Sequence, residues 1–442
     1  MSRLARNLLS KICANAIDFI KKTITSSEFI NKNRIDDSDF TRQRKLPFPT
    51  LIIFLLSLVR GSYQSELDRF FSILHRWRVP KRFVTKAAFT KARMKFKYET
   101  LIELNRKLNQ FFEKKCTPKT WFGFRLLVVD GSTIRLPHTQ DIAKHFGVWQ
   151  PRQGRACPMA RLSQMYDPLN HITVDAAIQP KSNGEREMAA DHFLNLMPND
   201  LILLDRGYPA WWLFALILSM NTQFCARISK KWKIVNRFLA SGRKQRIISL
   251  PVPDTSLKIA GQIGLNLKPL KLRLMRIDTE GAQPLVLITS LIDSSNYPFE
   301  LFCDLYHDRW PVEEDYKAIK CRIELENFSG KSAHSIYQDF HAKVLMKNLA
   351  SIIAQPVNDI LAADPTTERK YVYQVNFTHA LSKVKDWVPL LFQGTTKAIR
   401  SIMEALLELL EQTTEPIRPG RKYPRNHRIS ARRYYTCYKP LA

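Results

Sequence analysis

The stretch Arg125–Pro137 reads RLLVVDGSTIRLP. Four consecutive apolar residues, Leu126 to Val129, run straight into Asp130, and Gly131 follows. A short unbroken apolar run closed by a turn residue predicts a buried strand with an acid within it or at its end. The same texture recurs in HITVDAAIQP (171–180), DLILLDRG (200–207) and QFCARIS (223–229), with helical patterns between, at Glu185 to Leu196 and at Trp211 to Met220. Strands alternating with helices predict an α/β sheet.

On either side of this core the pattern changes. From Leu8 to about Phe112 apolar residues recur every three or four positions with few glycines, which predicts helices. From Lys230 to Leu285 the chain is basic and β-like (KKWKIVNRF, RKQRIISLPV, LKPLKLRLMRI) and reads as an insertion. After Tyr297 it is mainly helical to Gln412, and RPGRKYPRNHRISARRYYTCYKP (418–440) reads as an extended basic tail. The expected division is a helical N-terminal region (1–118), the first part of the core (119–229), a β-rich insertion (230–285), the second part of the core (286–335), and a helical C-terminal region with its tail (336–442).

The 442 residues carry 69 Lys and Arg against 40 Asp and Glu, a net charge of +29. An excess of that size attracts polyanions, of which nucleic acid is the commonest. Hydrophobic residues make up 45%, enough for packed interiors, so the chain is not a disordered one. The seven cysteines form no CxxC and no Cys/His cluster, which argues against zinc sites and disulfide frames and for a reducing interior. The apolar run at Leu51 to Val59 is too short to cross a bilayer, and the N-terminus has no convincing cleavage site, so a soluble cytoplasmic protein is expected. Lys81–Lys97, KRFVTKAAFTKARMKFK, supplies either a solvated helix face over a phenylalanine core or a phosphate-contacting stripe.

Asp130 and Asp205 both close apolar strand-like runs, where an unpaired charge is expensive. A bound cation is the natural compensation. A third acid comes from Tyr306–Lys320, YHDRWPVEEDYKAIK. If that stretch is mostly helical, Tyr306, Arg309, Glu313 and Lys320 share roughly a 60° arc, and Glu314 and Asp315 point elsewhere. Pro311 favours a helix start, so Glu313 also fits an ordinary acidic first turn. Two Asp and one Glu are hard oxygen donors suited to Mg²⁺ or Mn²⁺, and a pair of such ions supports phosphodiester displacement.

The spacing of Tyr306, Arg309, Glu313 and Lys320 is similar to the YREK signature of bacterial insertion-sequence DDE transposases, the IS-four family, related to the Tn-five transposase. DGSTIRLP and LLDRGYPAW resemble that family's first and second Asp motifs, and the likeness runs from about Arg44 to the basic C-terminus. The resemblance implies an α/β, RNase H-like core in which Asp130, Asp205 and Glu313 hold two Mg²⁺ ions, with Mn²⁺ able to replace them. It implies cleavage at the element's terminal inverted repeats, a DNA hairpin, and joining to target DNA. Tyr306, Arg309 and Lys320 would contact the DNA end, and pairing two ends requires at least a homodimer. Hairpin-forming relatives stack a flipped base on a Trp of the insertion, where this chain offers Trp232, itself readable as a packing residue. A nuclease of the same chemistry without joining, and a transposase-derived DNA-binding protein without catalysis, are the alternatives.

Other residues read as ordinary. Asp175 lies outside both Asp motifs, Glu185 and Glu187 suit a helix first turn, and His192 and His307 lack partners at metal-ligand spacing. Arg206 and Tyr208 fit either a packing role or one in shaping the site.

Overall fold

The computed structural model describes residues 3–150, 156–278, 283–363 and 370–418. The basic tail expected at 418–440 lies, beyond Arg418, outside the described residues. The chain divides into two units, Lys119–Thr133 with Arg161–Tyr316, and Met1–Pro118 with Ile134–Ala160 and Lys317–Ala442.

The first of these carries a mixed sheet. Its strands run in the order Ile172–Pro180, Cys157–Asp167, Arg125–Arg135, Asp200–Leu204, Gln223–Arg227, Leu285–Thr289, Leu270–Ile277, Gln245–Leu250. Leu126 to Val129 and Leu201 to Leu204 are wholly buried, which explains why these strands read as continuous apolar runs instead of alternating ones. They pair in parallel, with Leu127 opposite Ile202 and Val129 opposite Leu204. Asp200–Leu204 also pairs in parallel with Gln223–Arg227, whose other edge takes Leu285–Thr289 antiparallel. Helix Trp211–Ser219 covers one face, burying Trp211, Leu213, Phe214 and Ile217 against Phe224 and Ile202.

The segment expected as a β-rich insertion contains two strands and two helices. Gln245–Leu250 and Leu270–Ile277 pair antiparallel and extend the central sheet beyond Leu285–Thr289. Helices Lys233–Ala240 and Asp254–Gln262 complete it. KKWKIVNRF is rich in β-formers, yet Val235 and Phe238 lie three residues apart and are both buried, so the helical period decides the outcome. Trp232 sits at the start of that helix and packs against the hydrophobic core.

The second unit has the predicted helical flanks. The 31-residue helix Ala333–Ala363 runs through its centre, packed by Phe48–Leu56, Glu99–Lys115, Phe377–Gln393 and Thr396–Gln412, and Arg3–Thr25 packs on the last of these. Ser26, Thr85, Thr139, Asn376 and Thr395 cap helix N-termini with side-chain oxygens. In the Lys81–Lys97 stretch, Phe89 and Phe96 belong to the core, and Arg93 turns inward from the basic stripe. Its guanidinium bonds Gln338, Tyr63, Ser329, Asp339 and the Ser335 carbonyl. No helix among the described residues is long and apolar enough to cross a membrane.

Candidate active site

The parallel register places Asp130 and Asp205 side by side. Each follows immediately on one member of the Val129 and Leu204 pair, at the carboxyl end of Asp200–Leu204; Asp205 comes just after that strand, while Asp130 lies within the longer strand Arg125–Arg135. That end of an open α/β sheet is where ligands bind. Burial raises the Asp130 carboxyl from 3.8 to about 6, and the charges of Glu313 and Asp205 add to the rise, against the Gly131 amide and Arg309. The acids therefore sense one another across elements far apart in sequence.

Tyr306, Arg309 and Glu313 reach these acids through a turn. Helix Leu301–His307 ends before Asp308–Trp310, and Pro311, with no amide hydrogen to donate, begins helix Pro311–Lys317. A π-helical turn, Ala318–Arg322, follows, so the single helical arc expected for Tyr306–Lys320 does not describe this segment. Instead Tyr306 donates its hydroxyl to Asp205 Oδ1 at 3.3 Å, and Arg309 Nη2 donates to Glu313 Oε1 at 2.9 Å. The Arg309 guanidinium lies 5.8 Å from the Tyr306 ring centre and the residue is only 8% exposed. Burial pushes the Tyr306 hydroxyl well above its usual range, with the Asp205 charge assisting, so it remains a donor. Tyr316 donates to the Asp130 carbonyl at 2.8 Å and fixes the backbone there.

Asp315 is buried and accepts from Gln164 Nε2, so of the neighbouring acids it serves packing. Lys320 sits on the π-helical turn and belongs to the other unit. Burial lowers its ammonium, with Glu326 acting the other way. Trp310, in the turn between Tyr306 and Glu313, is 41% exposed; a search for a stacking aromatic confined to the insertion misses it.

His192 has partners that its sequence neighbourhood does not reveal. Its Nδ1 lies 2.9 Å from Asp175 Oδ2 and its Nε2 lies 3.0 Å from Ser163 Oγ. The residue types are those of a hydrolytic triad, but His192 and Ser163 are both sealed from solvent. The network instead fastens helix Glu185–Phe193 to two strands of the sheet. Arg206 and Tyr208 follow Asp205, and Tyr208 is buried, its hydroxyl raised by burial and by Asp130, Glu185 and Asp205.

Among the described residues no three His, Cys, Asp or Glu side chains are grouped as they stand to hold a metal ion. Glu313 is turned to Arg309 instead. The donor chemistry nevertheless suits a hard divalent cation, since Asp130, raised mainly by burial, also senses the charges of Glu313 and Asp205, and all three are oxygen donors.

Residues 121–349, more than half of the 442, match the family described as the transposase DDE domain. The chain belongs to that family. It is 23% identical over 400 residues to the transposase InsG for insertion sequence element IS4 of Escherichia coli (strain K12), covering 87% of this chain and 86% of that protein. It is 24% identical over 117 residues to the putative transposase InsZ of the same strain, 26% of this chain and 38% of that one. A cryo-EM structure of the piggyBac transposase synaptic complex with hairpin DNA aligns over 92% of this chain and 87% of its own, at 12% identity and a TM-score of 0.43. By its family the chain is a DNA transposase of the DDE type, and divalent-metal-dependent DNA cleavage and strand transfer is the family's activity. The matched segment contains Asp130, Asp205 and Glu313, while most of the N-terminal helices precede it.

Proposed function

We propose that this transposase cuts and joins the ends of a bacterial insertion sequence, with Asp130, Asp205 and Glu313 as its metal-binding carboxylates. The observation that carries this reading is the register of Val129 with Leu204, which sets two acids at one level just past the last paired residues of two parallel strands, with Glu313 close enough to add to the rise of the first. Two Mg²⁺ ions, or Mn²⁺ in their place, would supply charge neutralisation and activation of water or a 3′-hydroxyl.

Glu313, bonded here to Arg309, would be the third metal-holding carboxylate. Arg309, beside Tyr306, offers its guanidinium to a DNA phosphate, for which a planar fork of donors is suited. Tyr306 orients Asp205 through its hydroxyl, and Tyr316 holds the backbone at Asp130. Lys320 adds positive charge towards the DNA end.

DNA bearing terminal inverted repeats and target DNA are the partners, and pairing of two ends calls for a homodimer. In the N-terminal region a cleft of about 740 Å³, lined by Arg42, Arg44, Lys45, Lys91 and Lys95, supports contact with the DNA backbone. The cytoplasm, where bacterial DNA resides, is the site of action.

Calorimetric titration of Mn²⁺ tests the ligand assignment. Wild type is expected to bind, and Asp130→Asn, Asp205→Asn and Glu313→Gln each to weaken binding at least tenfold. Equal binding by all four proteins would remove these residues from the metal site.

A further inference from the structure

Beside Asp130 lies a group of donors that the contacts above leave unused. A Cβ built on Gly131 would stand 3.4 Å from Tyr208 Oη, 3.5 Å from the Leu162 carbonyl oxygen and 3.6 Å from Glu185 Cδ. Tyr208 and Glu185 therefore converge on the one residue next to Asp130 that has no side chain.

Tyr208 is 2% exposed, and its hydroxyl has no hydrogen-bond partner among the described residues. Arg161 Nε is likewise buried and unpartnered. The Arg161 guanidinium meets Glu185 only at 3.6 Å, Nη1 to Oε1, which is too long for a hydrogen bond. Buried donors without acceptors are unfavourable, and a native structure that keeps two together at an active-site edge calls for an explanation. The Glu185 side chain, half exposed, lies over them. Its backbone stands on a helix anchored by the His192 network, so the side chain moves while the helix stays.

We propose that Arg161 and Tyr208 form a phosphate-oxygen subsite next to Asp130, covered in the DNA-free protein by the Glu185 carboxylate, which a phosphate of bound DNA displaces. The proposal rests on the transposase reading above, which supplies the DNA. A guanidinium and a phenol hydroxyl side by side suit a phosphate oxygen because both only need an acceptor, and a charged acceptor makes the stronger bonds. Glu185 already shows that an anion is drawn to this point. The approaching phosphate repels Glu185 towards solvent, and Arg161 exchanges a loose ion pair for a direct bond.

Binding of a labelled duplex of gene-flanking DNA, measured by anisotropy in chelator, tests this without catalysis. Glu185→Gln is expected to tighten binding roughly three- to tenfold. Glu187→Gln, two residues on and exposed, makes the same change in net charge and is expected to give a much smaller gain. Adding Tyr208→Phe or Arg161→Gln to Glu185→Gln should abolish the gain. Tyr208→Phe alone should melt no lower than wild type, since its hydroxyl has no protein acceptor to lose. The subsite is overturned if Glu185→Gln and Glu187→Gln gain equally, if the gain survives both added substitutions, or if Tyr208→Phe melts several degrees lower. A wild type with no affinity for the duplex would instead remove the DNA reading, and the subsite with it.

Discussion

Asp130 and Asp205 stand at the same level on neighbouring chain segments, each one residue beyond the paired Val129 and Leu204 of two parallel strands. Neighbouring strands lie about 4.8 Å apart, so two carboxylates so placed repel unless something positive stands between them. Arg309 supplies positive charge and Tyr306 donates a hydrogen bond to Asp205, while the Asp130 carboxyl is raised mainly by burial and further by Glu313 and Asp205.

The first prediction concerns pH. Folding raises the Asp130 carboxyl from 3.8 to about 6, so between these values the folded protein holds a proton that the unfolded chain has released. The stability owed to this group is complete below the lower value and is lost as pH rises through the upper. Asp130→Asn removes the charge, and in chelator at pH 8 it should stabilise the protein by about 2 kcal/mol. The advantage should shrink towards pH 4. Thermal melting across this range checks it, and a pH-independent difference would contradict it.

Arg309 is the one basic side chain hydrogen-bonded to an acid of the cluster among the described residues. Replacing it by Ala leaves Asp130, Asp205 and Glu313 facing one another, at an expected cost of about 1–3 kcal/mol in chelator. Divalent metal should then raise the melting temperature more in Arg309→Ala than in wild type. Equal metal-induced shifts would separate Arg309 from the carboxylates.

A third prediction lies in the helical unit. Asp339 is buried, yet its carboxyl stays below the usual range, because Arg93, Ser329 and Lys343 outweigh its burial. Arg93→Met would strand that charge and take away the donor that the Tyr63 hydroxyl and Gln338 Oε1 accept from, and is expected to cost about 3–5 kcal/mol in urea unfolding. A loss below 1 kcal/mol would show that the network is dispensable.

Trp310 presents an exposed indole in the turn that carries Arg309 to Glu313. Stacking of an unpaired base on such a ring is worth about 1–3 kcal/mol. Trp310→Ala should leave the melting temperature within a degree or two of wild type and slow processing of the DNA end at least fivefold. Unchanged processing would assign the ring to the surface.

How far the sequence foretold this arrangement depends on range. LLVV before Asp130 and LILL before Asp205 announce buried strands, because a doubly covered strand must be apolar throughout; only the second ends at its acid, the first running on to Arg135. Glu313 is harder to read, since an acidic first turn after Pro311 fits equally well, and the turn at Asp308–Trp310 that brings Arg309 onto Glu313 leaves no periodic trace. His192 looked unpartnered because Asp175 and Ser163 lie 17 and 29 residues away and meet it only through the sheet. In the insertion, β-branched and basic residues suggested strands throughout, whereas burial of Val235 with Phe238 selects a helix. Tertiary packing overrides local preference there.

The most direct test of the account uses purified protein, end-labelled duplex carrying the gene's flanks and Mg²⁺, with wild type and Glu313→Gln compared on a denaturing gel. Wild type is predicted to nick at the repeat boundary and to join the freed end to a second duplex, while Glu313→Gln binds the DNA but yields neither product. Cleavage by Glu313→Gln at the wild-type rate, or binding without cleavage by both proteins, would contradict the three-carboxylate centre.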